Sequence, residues 1–322
     1  MKSISDFDRV MNTDFFSHLK TFLTDSDIEK IRHRIRIKRN TSFRVNTLKG
    51  DENQVVNDLK KSFKFAKFDT IKNCYIFDKN IDKSIINNEF VTSGKLYIQS
   101  ISSMIPPFIL NPQEGESVLD IAASPGSKTS LMAALTNNNI FIDAVEPDFV
   151  RMERLKKNIE VLGVKNVIFH KNYGESIIFP KKFDKILADV PCSGEGRLSI
   201  YDSSTYKFWS LKLIQQLSKL QIKILRNCIK HLKVGGEMVY STCTLNPIEN
   251  ELVVKKLFDE FGKSIEIMKP EINTSGFKEV LIPSNSYNSI KIPNKIIENT
   301  IKILPSDRME GFYICKIKKN SE

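Results

Sequence analysis

From about residue 118 onward, short apolar runs alternate with longer stretches in which apolar residues recur every three or four positions. The short runs predict β-strands, and the longer stretches predict amphipathic helices. The predicted strands cover 118–121, 140–145, 166–169, 183–188, 237–241 and 311–318. One predicted helix begins at about 128, and three others cover 149–162, 211–232 and 247–261. Gly235 and Gly236 would end the helix at 211–232. This alternation is typical of a doubly wound, Rossmann-like α/β domain, whose ligands bind at the carboxyl ends of the strands.

The beginning of the chain has a different pattern. Residues 43–48 alternate as a strand does, and Asp51 is placed to cap a helix that continues to about Ser62. Shorter β-like segments follow at 63–68 and 74–78. These elements predict a small α+β module.

The pattern changes after Gly94. An apolar segment at 97–110 is interrupted by Pro106 and Pro107, and the strand and helix alternation then begins. Near the other end, 280–305 is rich in Asn, Ser and Ile, which we interpret as a surface excursion. We therefore expect two domains, over 1–95 and 96–322.

The chain is strongly basic. Lysine and arginine number 49 and aspartate and glutamate 38, so the 322 residues carry +11 at pH 7. This balance favours polyanionic partners, with nucleic acid first and an acidic membrane surface second. Between Lys30 and Lys49 there are eight basic residues and no acidic one. A solvated basic face would give the same run, but we expect phosphate binding by Arg32, Arg34, Arg36, Lys38, Arg39 and Arg44.

The remaining composition excludes several classes of protein. Five widely spaced cysteines without a C-x-x-C pair are typical of reduced thiols in the cytosol. The four histidines lack the spacing of metal ligands, so we expect no metal. No stretch of roughly 18 apolar residues predicts a membrane span, and Asp6 and Asp8 fit no secretory leader. We expect a monomeric cytoplasmic protein with no membrane partner.

The segment V-L-D-I-A-A-S-P-G-S-K-T, residues 118–129, leaves a predicted strand through small residues and enters a helix. Small residues let backbone amides approach a ligand, and the helix N-terminus favours a carboxylate or a phosphate. A P-loop would need glycines where Ala122 and Ser127 stand, and a dinucleotide fingerprint needs three glycines where only Gly126 is present.

An acidic residue, Glu146, follows the next predicted strand and is placed to bind ribose hydroxyls. A loop of small residues with a ribose-binding acid, but without a pyrophosphate cradle, fits S-adenosylmethionine. The loop could equally be structural.

Two cysteines stand just past strand ends. Asp189-Val190-Pro191-Cys192 follows the strand at 183–188, and Cys243 follows the strand at 237–241. Neighbouring parallel strands would bring both thiols to one rim. A thiolate can add to carbon 6 of cytosine and make carbon 5 able to accept a methyl group. Asp189 would then hydrogen-bond the base, its acid form requiring apolar surroundings.

Buried cysteines more often serve only in packing, and we expect that role for Cys74, Cys228 and Cys315.

The motifs D-V-P-C-S-G-E-G at 189–196 and Y-S-T-C-T-L-N-P-I-E-N-E at 240–251 resemble those of the Nol/Nop/Sun family of RNA cytosine-5 methyltransferases. F-R-V-N-T-L-K at 43–49, Y-I-Q-S-I-S-S at 97–103 and G-F-Y-I-C-K-I-K-K at 311–319 extend the resemblance over nearly the whole chain. The G-S-K-T and C-S-G-E-G variants are most similar to the RsmF-like members, which act on small-subunit ribosomal RNA, or to the related transfer-RNA enzymes.

The resemblance implies roles for individual residues. Cys243 would be the nucleophile, Cys192 would assist release of the product, and Asp189 would lie between cofactor and base. Arg151 matches a recurrent family arginine, and Asn172 or the Tyr173 backbone stands where the family has an aspartate near adenine. Glu146 would bind the ribose, and the methionine part of the cofactor would lie against Ala122, Ala123, Ser124, Pro125, Gly126, Ser127 and Lys128.

The resemblance also implies that the additional C-terminal RNA-binding domain of some relatives is missing after Lys319. The expected function is S-adenosylmethionine-dependent formation of 5-methylcytidine in ribosomal or transfer RNA, with a flipped base and phosphates held by the basic module. One alternative is an RNA-binding ribosome-assembly factor that keeps the fold without turnover. An amino-group methyltransferase is disfavoured, because it would carry an N-P-P-Y-like or D-P-P-Y-like motif where 190–192 is V-P-C.

Overall fold

The structure is a computed structural model that describes residues 14–78, 83–277, 280–281, 283 and 285–322. Asp6 and Asp8 therefore lie outside the described residues. The described part begins with helices α1 (Phe16–Leu19) and α2 (Asp25–Arg34), and Thr24 caps α2 by accepting a hydrogen bond from the Asp27 amide. Apolar side chains of both helices pack against residues from the second half of the chain, including Leu198, Tyr206, Leu245 and Leu304.

A four-stranded antiparallel sheet follows, in the order β2-β3-β1-β4. Its strands are β1 (Ser42–Val45), β2 (Phe65–Lys67), β3 (Cys74–Phe77) and β4 (Leu96–Ile98). Helix α3 (Glu52–Lys60) is capped by Asp51, as predicted, and packs on Phe43 and Val45. The short helices α4 (Lys83–Ile86) and α5 (Glu89–Thr92) lead into β4. Because β4 belongs to this sheet, the sheet continues just past residue 95, and the division at that residue stays a prediction.

The second half of the chain forms the predicted doubly wound sheet with helices around it. Helix α6 (Ile101–Leu110) precedes β5 (Ser117–Asp120), and α7 (Ser127–Leu135) leads to β6 (Phe141–Val145). Helix α8 (Phe149–Val161) leads to β7 (Val167–His170). The remaining parallel strands and their helices are β8 (Phe183–Asp189), α9 (Leu211–His231), β9 (Leu232–Thr242) and α10 (Glu251–Phe261).

The last third of the chain extends this sheet with antiparallel strands. They are β10 (Ile265–Met268), β11 (Val280–Leu281), β14 (Thr300–Ile303) and β15 (Phe312–Lys319), while β12 (Ser286–Tyr287), β13 (Ile290–Lys291) and α11 (Asn294–Glu298) lie beside it. The order across the sheet is β11-β14-β15-β9-β8-β5-β6-β7, and β10 pairs with β15. No described helix is long and apolar enough to cross a membrane.

Side chains alternate between the two faces of the central sheet, so each face has its own core. Val118 and Val239 pack with α6 and α7 on one face, whereas Leu119, Met238 and Tyr240 pack with α9 and α10 on the other. This arrangement leaves the carboxyl ends of β5, β8 and β9 side by side at one edge of the sheet.

Pro106 and Pro107 do not interrupt their segment, because both lie inside α6. A proline removes a backbone donor from a helix, which normally breaks it. Here the helix is buried along most of its length, and both prolines are buried with it. The packing of this apolar helix therefore outweighs the missing backbone hydrogen bonds.

The end of α9 also differs from prediction. The helix stops at His231, and β9 begins at once with Leu232, well before the expected residue 237. Gly235 and Gly236 lie inside this strand, and Gly235 has a φ of +82°. The pairing of β9 with β8 shifts register between Phe183 and Lys185, so the glycines accommodate an irregularity in the strand rather than ending the helix.

The segment at 280–305 is only partly the expected surface excursion. Strand β14 joins the central sheet, where Ile301 pairs with Ile314 and Ile303 with Phe312. Its side chains are buried, and Ile301 and Ile303 pack in one cluster with residues of α6 and β15. Even Lys302 is buried, with Nζ 2.6 Å from Glu251 Oε1.

The pair formed by Lys302 and Glu251 provides a test of this packing. Neither Glu251 oxygen accepts a further hydrogen bond from the described residues, so Lys302 supplies the balancing charge. We expect Lys302→Met to lower the free energy of unfolding by about 3–5 kcal/mol, because it leaves a buried carboxylate unpaired. Adding Glu251→Leu should restore most of the loss. Urea unfolding measures the stability of both variants. The control is Lys156→Met, which removes an exposed ion pair with Glu153 and should change the free energy of unfolding by less than about 1 kcal/mol.

Candidate active site

A cleft of about 380 Å³ opens at the carboxyl ends of β5, β8 and β9. This volume is within the range typical of small-molecule sites. The loop after β5 contributes Ala122, Ala123, Ser124, Pro125, Ser127 and Lys128, as predicted from its sequence. The ends of β8 and β9 contribute Asp189, Val190 and Cys243, and the remaining lining consists of Ser100, Ser103, Asp120, Arg197, Glu310 and Phe312.

The two predicted thiols meet at this cleft. The Sγ atoms of Cys192 and Cys243 are 3.2 Å apart, and the Cys243 amide donates a hydrogen bond to Cys192 Sγ at 3.2 Å. They meet because β8 and β9 are parallel neighbours, with Asp189 opposite Ser241. The hydrogen bond to Cys243 and burial raise the pKa of Cys192 well above its usual value. The Cys192 thiol is therefore a weak acid, and its thiolate, once formed, is a strong base.

Asp189 has polar surroundings rather than the apolar ones expected for a neutral acid. Lys128 Nζ is 2.6 Å from Asp189 Oδ2, and Ser241 donates a hydrogen bond of 2.7 Å to Oδ1. Burial acts to lower the pKa of Lys128, but the charges of Asp189 and Asp120 more than offset it and raise that pKa. An ammonium and a carboxyl group thus lie together at the cleft, in reach of whatever occupies it.

The loop after β5 is rigidly held. Gly126 adopts a φ of +96° at the start of α7, and a Cβ there would lie 3.0 Å from Leu155 of α8. Asn158 of α8 donates a hydrogen bond to the Pro125 carbonyl, and Ser124 donates one to the Arg151 carbonyl. The loop therefore presents small side chains to the cleft in a fixed shape.

The donor set fits a methionine-like group. The N-terminus of α7 and Lys128 suit its carboxylate, while the acidic side chains of Asp120 and Asp189 suit its cationic atoms. Burial raises the pKa of Asp120 to about 6, although Thr129 donates a hydrogen bond to it.

Four predicted cofactor ligands lie outside the cleft lining, namely Gly126, Glu146, Arg151 and Asn172. Glu146 is buried, accepting a hydrogen bond from the Asp148 amide, and its Oε2 is 3.2 Å from Arg151. The Asn172 side chain accepts a hydrogen bond from the Tyr173 amide. Glu146 follows β6, the neighbour of β5, and Asn172 follows β7, the next strand in the sheet. A ligand that extends from the cleft along these strand ends would reach both residues.

Arg44 contradicts its predicted role in binding phosphate. Its side chain is 1% exposed and donates hydrogen bonds to Gln99 and Ser130. Burial lowers its pKa to about 10. Phe43 and Val45 face α3, so Arg44 points from the other face of β1 towards α7 and joins the small sheet to the large one.

The rest of the basic run is at the surface. Arg36 and Lys38 are exposed, while Arg32, Arg34 and Arg39 are partly buried. The run contacts the segment after Cys192: the Ile200 amide donates to Ile35, the Tyr201 hydroxyl donates to Arg36, and Arg39 donates to the Arg197 carbonyl. The run thus borders the segment that follows the candidate catalytic residue Cys192.

Several residues near the thiols were not predicted. Arg197 and Glu310 line the cleft, and Glu249 lies behind it, accepting hydrogen bonds from the Ser193 amide and Gln221. Burial raises the pKa of Glu249 to about 7. The sequence signal for these residues was their position within or beside the recognised motifs, since Arg197 directly follows C-S-G-E-G and Glu249 lies in N-P-I-E-N-E.

Known proteins share this fold. A crystal structure of a methyltransferase homolog protein from Pyrococcus horikoshii has a TM-score of 0.82 at 31% identity, covering 99% of each chain. NSun6 from Pyrococcus horikoshii, solved with SFG, has a TM-score of 0.81 at 22% identity, covering 96% of this chain and 98% of that one. Both likenesses confirm the predicted Rossmann-like methyltransferase fold.

Curated relatives match over most of this chain. The tRNA (cytosine(49)-C(5))-methyltransferase of Pyrococcus abyssi is 33% identical over 285 residues, 86% of this chain and 88% of that protein. The ribosomal RNA small subunit methyltransferase F of Vibrio cholerae is 33% identical over 288 residues, 86% of this chain but 57% of that protein. The chain thus spans little more than half of the latter relative.

The family model described as 16S rRNA methyltransferase RsmB/F matches residues 107–318, which include both cysteine motifs and the closing strand. The predicted resemblance to RNA cytosine-5 methyltransferases is confirmed by this match. The family model covers most of the chain, and the Pyrococcus abyssi enzyme is 33% identical to it. The chain therefore belongs to the RsmB/F methyltransferase family.

Proposed function

We propose that this chain transfers a methyl group from S-adenosylmethionine to carbon 5 of a cytidine in RNA, through a covalent bond between Cys243 and the base. The observation that carries the proposal is the pair of thiols, 3.2 Å apart, beside a cleft that also contains Asp189 and Lys128. An amino-group methyltransferase needs no thiol, so this arrangement distinguishes the two chemistries.

Cys243 begins the reaction. Its thiolate adds to carbon 6 of cytosine, a sulfur–carbon bond forms, and the electrons of the double bond between carbons 5 and 6 move into the ring. Asp189 accepts a hydrogen bond from the exocyclic amine, and the ammonium of Lys128, paired with Asp189, balances the negative charge that develops on the ring. Carbon 5 is then nucleophilic.

When bound, S-adenosylmethionine supplies an electrophilic methyl group to that carbon. Ala122 to Lys128 hold its methionine part, with Gly126 fixing the shape of the loop. Glu146 binds the ribose, and Arg151 and Asn172 lie beyond it, where the adenine would extend. Glu146 and Asn172 are assigned from their positions after β6 and β7, and Arg151 from its contact with Glu146, 3.2 Å away.

Cys192 completes the reaction. It is only partly buried, so it can release its own proton to solvent. Because its pKa is raised, its thiolate is a strong base that can accept the proton of carbon 5. The electrons of the carbon–hydrogen bond then restore the ring double bond, and the bond from sulfur to carbon 6 breaks with its electrons returning to Cys243.

The RNA lies along the basic run. Arg32, Arg34, Arg36, Lys38 and Arg39 border the segment after Cys192, so phosphates bound there place the nucleotide near the thiols. We favour ribosomal RNA because the family model carries that description, with transfer RNA as the second choice because of the Pyrococcus abyssi relative. We also propose a monomeric cytoplasmic enzyme with the domains 1–95 and 96–322, consistent with five free thiols.

Replacing the nucleophile separates chemistry from binding. Cys243→Ala should reduce tritium transfer from labelled S-adenosylmethionine to RNA by at least about 10³-fold and leave cofactor affinity within about twofold. Cys74→Ala, which removes a buried thiol of the small sheet, is the matched control and should retain transfer. Methyl transfer by Cys243→Ala would contradict the assignment of Cys243 as the nucleophile. If the unmodified chain transferred no methyl group to ribosomal or transfer RNA, an RNA-binding assembly factor would be favoured instead.

Replacing the second thiol should trap the intermediate. In Cys192→Ala the carbon 5 proton has no acceptor, so we expect a covalent protein–RNA adduct that migrates slowly in a denaturing gel. The double variant Cys192→Ala/Cys243→Ala should form none. Loss of turnover by Cys192→Ala without an adduct would assign Cys192 a different role.

Neutralising Arg34, Arg36 and Lys38 together tests the RNA surface. Each lost phosphate contact lowers the slope of log affinity against log salt by roughly 0.7–0.9, so the triple variant should lose about 2 to 3 units of slope on any RNA sequence. Neutralising Lys212, Lys219 and Lys223, which are exposed on α9, removes the same charge elsewhere and should change the slope little. Equal effects of the two triple variants would mean that only net charge matters.

A further inference from the structure

Arg197 is held beside Cys243 by backbone contacts on two sides. It ends the short turn Glu195–Arg197, which follows Cys192 and Gly194. The Gly196 amide donates a hydrogen bond of 2.9 Å to the Cys243 carbonyl, and the Gly311 amide donates one of 2.8 Å to the Gly196 carbonyl. A Cβ at Gly196 would lie 2.1 Å from the Gly311 oxygen, so the turn is fixed between β9 and the segment that leads into β15.

The Arg197 side chain reaches into the cleft. The Arg197 and Cys243 side chains line the same cleft, and Arg197 Nε is 3.8 Å from Glu310 Oε1. The Arg197 side chain remains 55% exposed, so the group lies at the open rim. Burial acts to lower the pKa of Arg197, but the nearby Cys243, Glu310 and Cys192 groups raise it overall.

Lys128, the other cation that lines the cleft, already has an ion-pair partner. Cys192 follows β8, Asp189 ends that strand, Lys128 lies on α7, and Asp120 ends β5. Lys128 is 2.6 Å from Asp189, so most of its charge is balanced there. Glu310 is 3.8 Å from Arg197, a looser pairing, so the guanidinium is the less neutralised of the two cations that line the cleft with Cys243.

We propose that Arg197 is a further catalytic residue, whose guanidinium stabilises Cys243 as a thiolate before attack and again when the sulfur leaves the base, while Glu310 moderates its charge. The thiol proton goes to solvent, and Arg197 itself neither gains nor loses a proton. The catalytic part of this inference rests on the function proposed above, whereas the stabilisation of the thiolate is a property of the free protein.

The test is the pH dependence of Cys243 alkylation by iodoacetamide, followed by mass spectrometry of the Cys243 peptide in the full chain without RNA or cofactor. A cation favours the charged form of a thiol, so removing it raises the thiol pKa. We expect Arg197→Met to slow alkylation near neutral pH by roughly tenfold and to reach the wild-type rate at high pH. Arg197→Lys should restore part of the rate, because it keeps the charge without the planar fork.

The variant Glu310→Gln should have the opposite effect on the alkylation rate. Removing the carboxylate frees Arg197, so alkylation of Cys243 near neutral pH should be faster than in the wild type. Superimposable pH profiles for wild type, Arg197→Met and Arg197→Lys, each folded by circular dichroism, would overturn the proposal. If Arg197→Met does not fold, the pH profiles of Arg197→Lys and Glu310→Gln decide the question. The proposal is then overturned if neither profile differs from that of the wild type.

The methylation assay distinguishes this inference from the proposed function. With RNA and cofactor present, Arg197→Met should lose more kcat at low pH than at high pH, whereas a purely structural role would lower activity equally at all pH values. Shifted alkylation profiles without methyl transfer by the wild type would refute the proposed function while supporting thiolate stabilisation. Methyl transfer with unshifted profiles would refute only the role of Arg197.

Discussion

The parallel pairing of β8 with β9 is the constraint on which the candidate site depends. Asp189 lies opposite Ser241 in this pair, so the residues that follow each strand leave the sheet at the same level. This register brings Cys192 and Cys243 to 3.2 Å and allows Ser241 to orient Asp189. A shift of one residue would turn these side chains towards opposite faces and separate the thiols. The chemistry of the site is thus determined by hydrogen bonds of the backbone.

Charge balance around this pair gives the two thiols different properties. Cys192 is enclosed by the hydrogen bond with Cys243 and by nearby carboxyl groups, including Glu249, which raise its pKa. Cys243 lines the cleft together with Arg197. In the proposed reaction one thiol takes up a proton and the other forms the bond to the base, although both follow equivalent strand ends. A base and a nucleophile need different surroundings, and the turn Glu195–Arg197 brings a cation to the side of Cys243.

The sequence was sufficient for those features that follow from local pattern. The alternation of strands and helices predicted the doubly wound sheet, and the positions of Cys192 and Cys243 after adjacent strands predicted their convergence. Arg44 could not be predicted, because strand alternation shows that two faces differ but not which face another domain covers. Strand β14 and the role of Arg197 depend on contacts with β15 and Gly311, which are distant in sequence. The segment F-R-V-N joins the small sheet to helices of the large one: Arg44 reaches Ser130, and Asn46 donates hydrogen bonds to the Gly94 and Leu162 carbonyls.

The contact between Gly196 and Gly311 has a consequence for biosynthesis. The turn beside Cys243 is completed only when the Gly311 amide bonds Gly196 and β15 pairs along β9, opposite Thr242, Ser241 and Tyr240. A nascent chain that still lacks those residues would already contain both cysteines and the loop after β5. The turn beside Cys243 would nevertheless lack its hydrogen bond from Gly311. The turn beside Cys243 can therefore form completely only after the segment that follows Gly311 has left the ribosome.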